Sequence, residues 1–201
     1  RLGVDATAPS RRGGTWSPVP LQVLDTQTPN NKTTMTLFDT PDAQSPTDCT
    51  VTRTRSRALT TRLVRAWHST LPNSPAGFRL AFIAYAPNQA PVAVALWGRP
   101  VARSEDQTTT LQLTRLAHGP GAPRNLGSWF LGQMRRYIRR HMPEIQRLIT
   151  YHDADRHDGA LYRADNWRLV YHRPVTNQDW RNRPGRSSPG VTNRVKWERN
   201  P

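Results

Sequence analysis

The sequence predicts an α/β domain: a mixed central sheet with crossover helices, an irregular arm before it and a basic segment after it. Three observations carry this reading. Short apolar runs of strand length recur between turn-rich connections. Two segments with helical apolar periodicity fall between those runs. The two ends of the 201-residue chain are rich in Pro, Ser, Thr, Asn and Arg and poor in apolar clusters. The order helix, hairpin, strand, long helix, strand, short helix, strand belongs to a mixed sheet with helices packed across it.

Each element has its own justification. Residues 1–56 hold only two short apolar stretches, "TWSPVPLQVL" and "MTLFD", and read as an irregular or partly disordered arm. In "SRALTTRLVRAWHSTLP", Leu59, Leu63 and Trp67 fall at i, i+4 and i+8, one helical face, and Pro72 stops the pattern. "FRLAFIAYA" and "VAVALWG" are strands joined by the turn-rich "PNQAP". "TLQLTRLA" alternates and is a third strand. After the loop "HGPGAPRN", Leu126, Phe130, Met134 and Ile138 make an i, i+4 stripe, with Arg135, Arg136, Arg139 and Arg140 on the other side and Pro143 as the stop. "RLITYH" is a strand, "ALYRADN" a short helix, "WRLVYHR" another strand, and "RVKWE" a candidate last one. The expected domain spans 57–175, and 176–201 is a basic Trp- and Arg-containing segment.

Composition narrows the function. No apolar run is long enough to span a bilayer, and Cys49 is the only cysteine, which excludes an internal disulfide and a cysteine-based zinc cage. Net charge is +15. Lys32 and Lys196 are the only lysines, so arginine supplies nearly all the positive charge. Its planar fork suits phosphate and guanine, and it stacks on bases. Residues 124–201 hold 16 basic and 7 acidic side chains. Such an imbalance is the footprint of a polyanionic partner, nucleic acid foremost. Trp180, Arg181, Arg183 and Arg186 in "DWRNRPGRSSPG" interleave a stacking surface with phosphate-binding groups. Arg135 and Arg139 on the long helix are further DNA-binding candidates.

The start of the long helix, Arg124-Asn125-Leu126-Gly127-Ser128, joins free backbone N–H groups to the positive end of a helix dipole. It is a candidate anion site, and Asn125 is of a type that caps helices. His152, Asp153, Asp155, His157 and Asp158 have spacing that can hold a metal; a solvated polar loop is the expectation, and no metal is predicted. His118, His141 and His172 show no partner pattern.

The element order resembles that of the GNAT acyltransferases. In that family the loop-to-helix junction holds the pyrophosphate of acyl-CoA, and a short-helix Tyr protonates the departing thiolate. "GALYRADNW" is similar to that Tyr segment, with Asn166-Trp167 in place of Gly-Phe. A closer resemblance is to the Mom DNA-modification proteins of phages and plasmids. "LQLTRLA", "PRNLGS", a helix ending before "PEI", a strand ending in a carboxylate and "DGALYRA" match that family's motifs in order. "VALWGRPVAR" and "RVKWE" are similar to a broader group of Mom-like proteins.

The resemblance implies a GNAT-like fold, an acyl donor such as acetyl-CoA, and DNA as substrate. The implied product carries a carbamoylmethyl- or acyl-type substituent on the exocyclic amine of adenine and protects DNA from restriction. The implied setting is the cytoplasm of a phage-infected or plasmid-bearing bacterium. Carried over residue by residue, the catalytic set is Arg115 of "LTRL", Ser128 of "PRNLGS", Asp153 of "YHD", Tyr162 of "LYRA" and His68 of "AWHS". Ser69 stands where the family has Tyr. The implied roles are chemically coherent: a carboxylate at Asp153 takes a proton from a weakly nucleophilic amine, and a phenol at Tyr162 gives one back. Arg115 binds an anion or pairs with Asp153, and Ser128 binds the donor. Two rival readings remain at this stage: a GNAT enzyme acting on a small amine or a protein, and an inactive DNA-binding module of the same fold.

Overall fold

The computed structural model describes residues 40–69, 71–173 and 193–201. "TWSPVPLQVL", "MTLFD" and the group Trp180, Arg181, Arg183 and Arg186 lie outside the described residues. Among those described, seven strands form one sheet: β1 (Thr50–Arg53), β2 (Leu80–Tyr85), β3 (Pro91–Gly98), β4 (Thr110–His118), β5 (Arg147–Asp153), β6 (Arg168–Arg173) and β7 (Arg194–Arg199). The helices are α1 (Arg57–Trp67), α2 (Leu126–His141) and α3 (Ala160–Ala164). Strand order is β1-β2-β3-β4-β5-β7-β6. Within this sheet the β4–β5 pair is parallel and the other neighbours are antiparallel. This is the mixed α/β sheet with crossover helices that the sequence predicts.

The sheet has a different helix on each face. Phe130, Leu131, Met134 and Ile138 of α2 are fully buried against Phe82, Trp97, Leu111 and Leu148. On the other face Leu63 and Val64 of α1 pack on Ala81, Ile83, Val94 and Leu96. Each such side chain contributes about 1.5–3 kcal/mol. Ser56 caps α1, its side chain accepting from Leu59 N–H at 3.2 Å. The helix ends at Trp67, short of Pro72, with His68 as C-cap. Arg139, Arg140 and His141 in the last turn of α2 complement its dipole.

The sheet exceeds the span 57–175 at both ends. β1 extends it inside the expected arm, pairing with β2, and Ala43, Cys49 and Val51 are buried in the core. "TVTR" is too short and too polar to announce a strand. At the other end β7 is no appendage. It inserts between β5 and β6, with Val195 and Trp197 buried. The basic tail therefore contributes an interior strand.

Candidate active site

The parallel pair β4–β5 is registered only from Thr110↔Arg147 to Leu113↔Thr150. Beyond Thr150, β5 turns its edge to β7 alone, and beyond Leu113, β4 keeps only β3. The two strands thus splay apart. A bulge at Thr114 shifts the β4 register between Leu96 and Trp97. After it, Arg115 shares a face with Leu96, and His118 shares the opposite face with Ala93. α2 begins at this opening, and Asp153 ends β5 beside it.

Side-chain alternation sorts the expected catalytic residues to the two faces of the sheet. On the α2 face, Tyr162 is buried, and its hydroxyl lies 3.4 Å from Thr150 Oγ1. Thr150 donates to the Leu113 carbonyl at 3.3 Å, which leaves it to accept from Tyr162. These three groups mark the last paired position before the splay. Tyr162 also stacks with His152 and Trp197 and meets Trp167 edge-on. Burial raises its pKa, so the phenol keeps its proton at neutral pH.

On the α1 face lie Arg115, His68 and Asp153. Arg115 donates through Nε and Nη2 to the Asn73 carbonyl at 3.1 and 2.9 Å and through Nη1 to the Thr114 carbonyl at 2.6 Å. Its guanidinium is committed to backbone oxygens of the loop after α1 and of β4 itself, where the sequence suggested a free anion binder or an Asp153 partner. His68 accepts from Leu71 N–H at Nδ1, 3.1 Å. Burial first, then Arg115 and His157, push its pKa down to about 4, so the ring is neutral at pH 7. Asp153 Oδ1 accepts from Asp155 N–H at 3.1 Å. Oδ2 is buried without a hydrogen bond, and Arg156 Nε stands 3.5 Å away. Asp153 and Tyr162 therefore lie on opposite faces of the sheet rather than on one wall.

The helix start differs from its expected form. Asn125 does not cap α2: it adopts a left-handed conformation, φ +63°, and its side chain makes no cap bond. Ser128 Oγ donates to the Asn125 carbonyl at 3.2 Å. The loop glycines are covered by the chain itself. A Cβ on Gly119 would meet the Trp67 ring at 2.8 Å, and one on Gly121 would meet Pro41 at 3.0 Å. The bare face of Gly127 is turned to His118, whose ring would lie 3.1 Å from a Cβ at that position. What fits a donor's anionic group is the uncapped first turn of α2, with Arg124 and Asn125 exposed at its mouth.

Two of the arginines expected at DNA sit differently. Arg135 makes a bidentate pair with Asp165, Nε–Oδ2 2.8 Å and Nη2–Oδ1 2.7 Å, and is largely buried. Trp167 Nε1 donates to the same carboxylate at 2.9 Å. Arg135 therefore fastens α2 to the end of α3 and has no free fork for phosphate. Arg139 is exposed, in a notch with Arg168, Arg199 and Glu198.

Three residues at the opening escaped the sequence reading as members of the site. His118 ends β4 with Nε2 buried and unbonded, and burial lowers its pKa. Thr150 and His152 follow Leu148 at period 2 on the α2 face, and that alternation was the available signal. His152 Nδ1 accepts from Trp197 Nε1 at 2.7 Å, a contact that depends on the unforeseen position of β7. Among the described residues, no group of three or more His, Cys, Asp or Glu side chains is arranged to hold a metal ion. Nor is any helix there long and apolar enough to cross a membrane.

A family model, the Mom protein family, matches residues 56–194, more than half of the chain. No curated protein sequence matches. The fold is similar to solved structures of low identity. The ribosomal-protein-S18-alanine N-acetyltransferase from Escherichia coli has TM-score 0.54 and 14% identity, covering 76% of this chain and 93% of that one. A GCN5-related N-acetyltransferase from Kribbella flavida has TM-score 0.54 and 13% identity, covering 78% and 100%. An IAA acetyltransferase from Bacillus cereus has TM-score 0.53 and 10% identity, covering 76% and 99%. The sheet with its splayed parallel pair is thus a GNAT-like fold.

Proposed function

The chain belongs to the Mom protein family, and from that premise we propose that it is a GNAT-fold group transferase that modifies the exocyclic amine of adenine in DNA. The observation that carries this reading is the Asp153 carboxylate at the splay, one oxygen of which is buried with no hydrogen bond and only the Arg156 guanidinium 3.5 Å away, with a protonated phenol at Tyr162 on the other face. Adenine N6 is a weak nucleophile because its lone pair is delocalised into the ring. Asp153 Oδ2 accepts the N6 proton and fixes the amine's direction. Neutral His68 and the Arg115-held loop after α1 line the acceptor side. Tyr162 Oη, which keeps its proton, is the candidate acid for a leaving group. Ser128 and the first turn of α2 would hold the donor's anionic group. An acyl-CoA, when bound, supplies an activated carbonyl. Reaching N6 favours a flipped or single-stranded base.

The test is DNA from cells expressing the protein, digested to nucleosides and weighed. A new mass on deoxyadenosine, lost in an Asp153→Asn variant of equal abundance, is the expected result. Unmodified nucleosides from cells holding soluble protein and an acyl donor would overturn the assignment. A modified small amine or protein in the same cells would move the acceptor elsewhere.

A further inference from the structure

The proposed reaction needs a hold on a polyanionic substrate, and Arg135, one of the arginines first singled out for it, is spent on Asp165. From Cys49 to Ser104 the chain contains no Asp or Glu. α1 lies inside this stretch. At about 100° per residue its sequence divides cleanly. Thr60, Leu63 and Val64 are buried on the sheet, and Arg57, Arg62 and Arg65 point outward over Ala58, Thr61 and Ala66. Those six residues line a shallow open depression along the helix. Arg57 also donates to the Ala76 carbonyl. Among the described residues no carboxylate pairs with Arg62 or Arg65, whereas Arg79 of the same stretch pairs with Glu144 and Arg135 and Arg168 are each committed elsewhere.

We propose that this outer face of α1 is the docking surface for the phosphate backbone of the substrate nucleic acid. The charge is of one sign, and it is not neutralised within the described fold. The small side chains between the guanidiniums let a strand approach the helix closely. Arg62 and Arg65 are about 4.5 Å apart along the axis at 1.5 Å per residue, and their long side chains reach two successive phosphates of one strand. The placement also suits the reaction. α1 runs directly into His68, so a strand held on Arg62 and Arg65 passes within about one helical turn of the acceptor side.

This inference rests on the DNA reading above, and the experiment separates the two. The full chain, an Arg62→Glu/Arg65→Glu variant and an Arg62→Gln/Arg65→Gln variant are titrated against a labelled oligonucleotide over a salt series. An Arg99→Glu/Arg103→Glu variant carries the same charge change on an exposed loop outside α1. Each lost phosphate contact lowers the slope of log K against log[salt] by about 0.9. The expected result is a slope reduced by about two in both α1 variants and an affinity at low salt reduced at least tenfold, with unchanged melting and a normal slope in the loop variant. A slope unchanged in the α1 variants, or reduced equally in the loop variant, overturns the proposal while leaving the DNA reading intact. The same holds if Arg139→Glu/Arg140→Glu alone flattens the slope, which places the strand on α2. Absence of salt-dependent binding by the unaltered chain overturns both.

Discussion

Asp153 Oδ2 and His118 Nε2 are buried polar atoms without hydrogen bonds at the same opening. Leaving such atoms unsatisfied costs about 1–3 kcal/mol each. Such atoms call for an explanation, and a catalytic role is one that the proposed reaction supplies. Asp153→Asn and Tyr162→Phe each preserve shape and remove one function, a charge or a hydroxyl. Each should lower turnover by roughly 100-fold, with melting temperatures near that of the parent chain. Near-normal turnover in both would return Asp153 to a loop-capping role and Tyr162 to packing among His152, Trp167 and Trp197. His68 gives a pH dependence with a defined sign. Its pKa is about 4 in the fold against an ordinary 6.5. Between those values the unfolded chain binds a proton that the folded chain refuses, so stability falls as pH falls through that window. Burial lowers His118 and His152 in the same direction. The melting temperature at about pH 5 should be below that at pH 7, and His68→Gln should narrow the gap. An equal gap in the variant would assign the acid loss to other groups.

At the scale of elements, close approaches set the geometry of the opening. Gly159 has φ +73°, and a Cβ there would lie 2.7 Å from Trp197 and 3.0 Å from His152. Gly159→Ala should cost about 2–3 kcal/mol through strain and overlap, read as a drop in melting temperature of roughly 5–10 °C. The Arg135–Asp165 pair joins α2 to α3, and removing one partner of a buried pair costs about 3–5 kcal/mol. Arg135→Ala should therefore destabilise the chain far more than Arg139→Ala, and denaturant melts of the two would show it; equal losses would contradict the fastening role. α2, β3 and β4 were legible in the sequence because their apolar periods are long and regular. β1 was not, since four polar or small residues become a strand only by pairing with β2. The left-handed Asn125 was equally hidden, because capping chemistry and an αL turn use the same residue type.

At the scale of the whole molecule, local pattern gave out where pairing is non-local. "RVKWE" looked like a strand, but nothing near it in sequence says that it enters between β5 and β6. The division of the site between two faces was hidden for a related reason. For Arg115 and His118 it depends on the β4 bulge at Thr114, which reverses the alternation that "TLQLTRLA" displays. Which of the candidate residues share a face was not readable from the sequence.

The interior position of β7 also bears on how this protein comes into being. Of the seven strands, the last to leave a ribosome is the one that bridges β5 to β6 and brings Trp197 against His152 and Tyr162. Until it arrives, two strand edges stay unpaired, a state prone to aggregation. A nascent chain, or one cut short by a premature stop near residue 190, lacks both that bridge and the packing behind Tyr162.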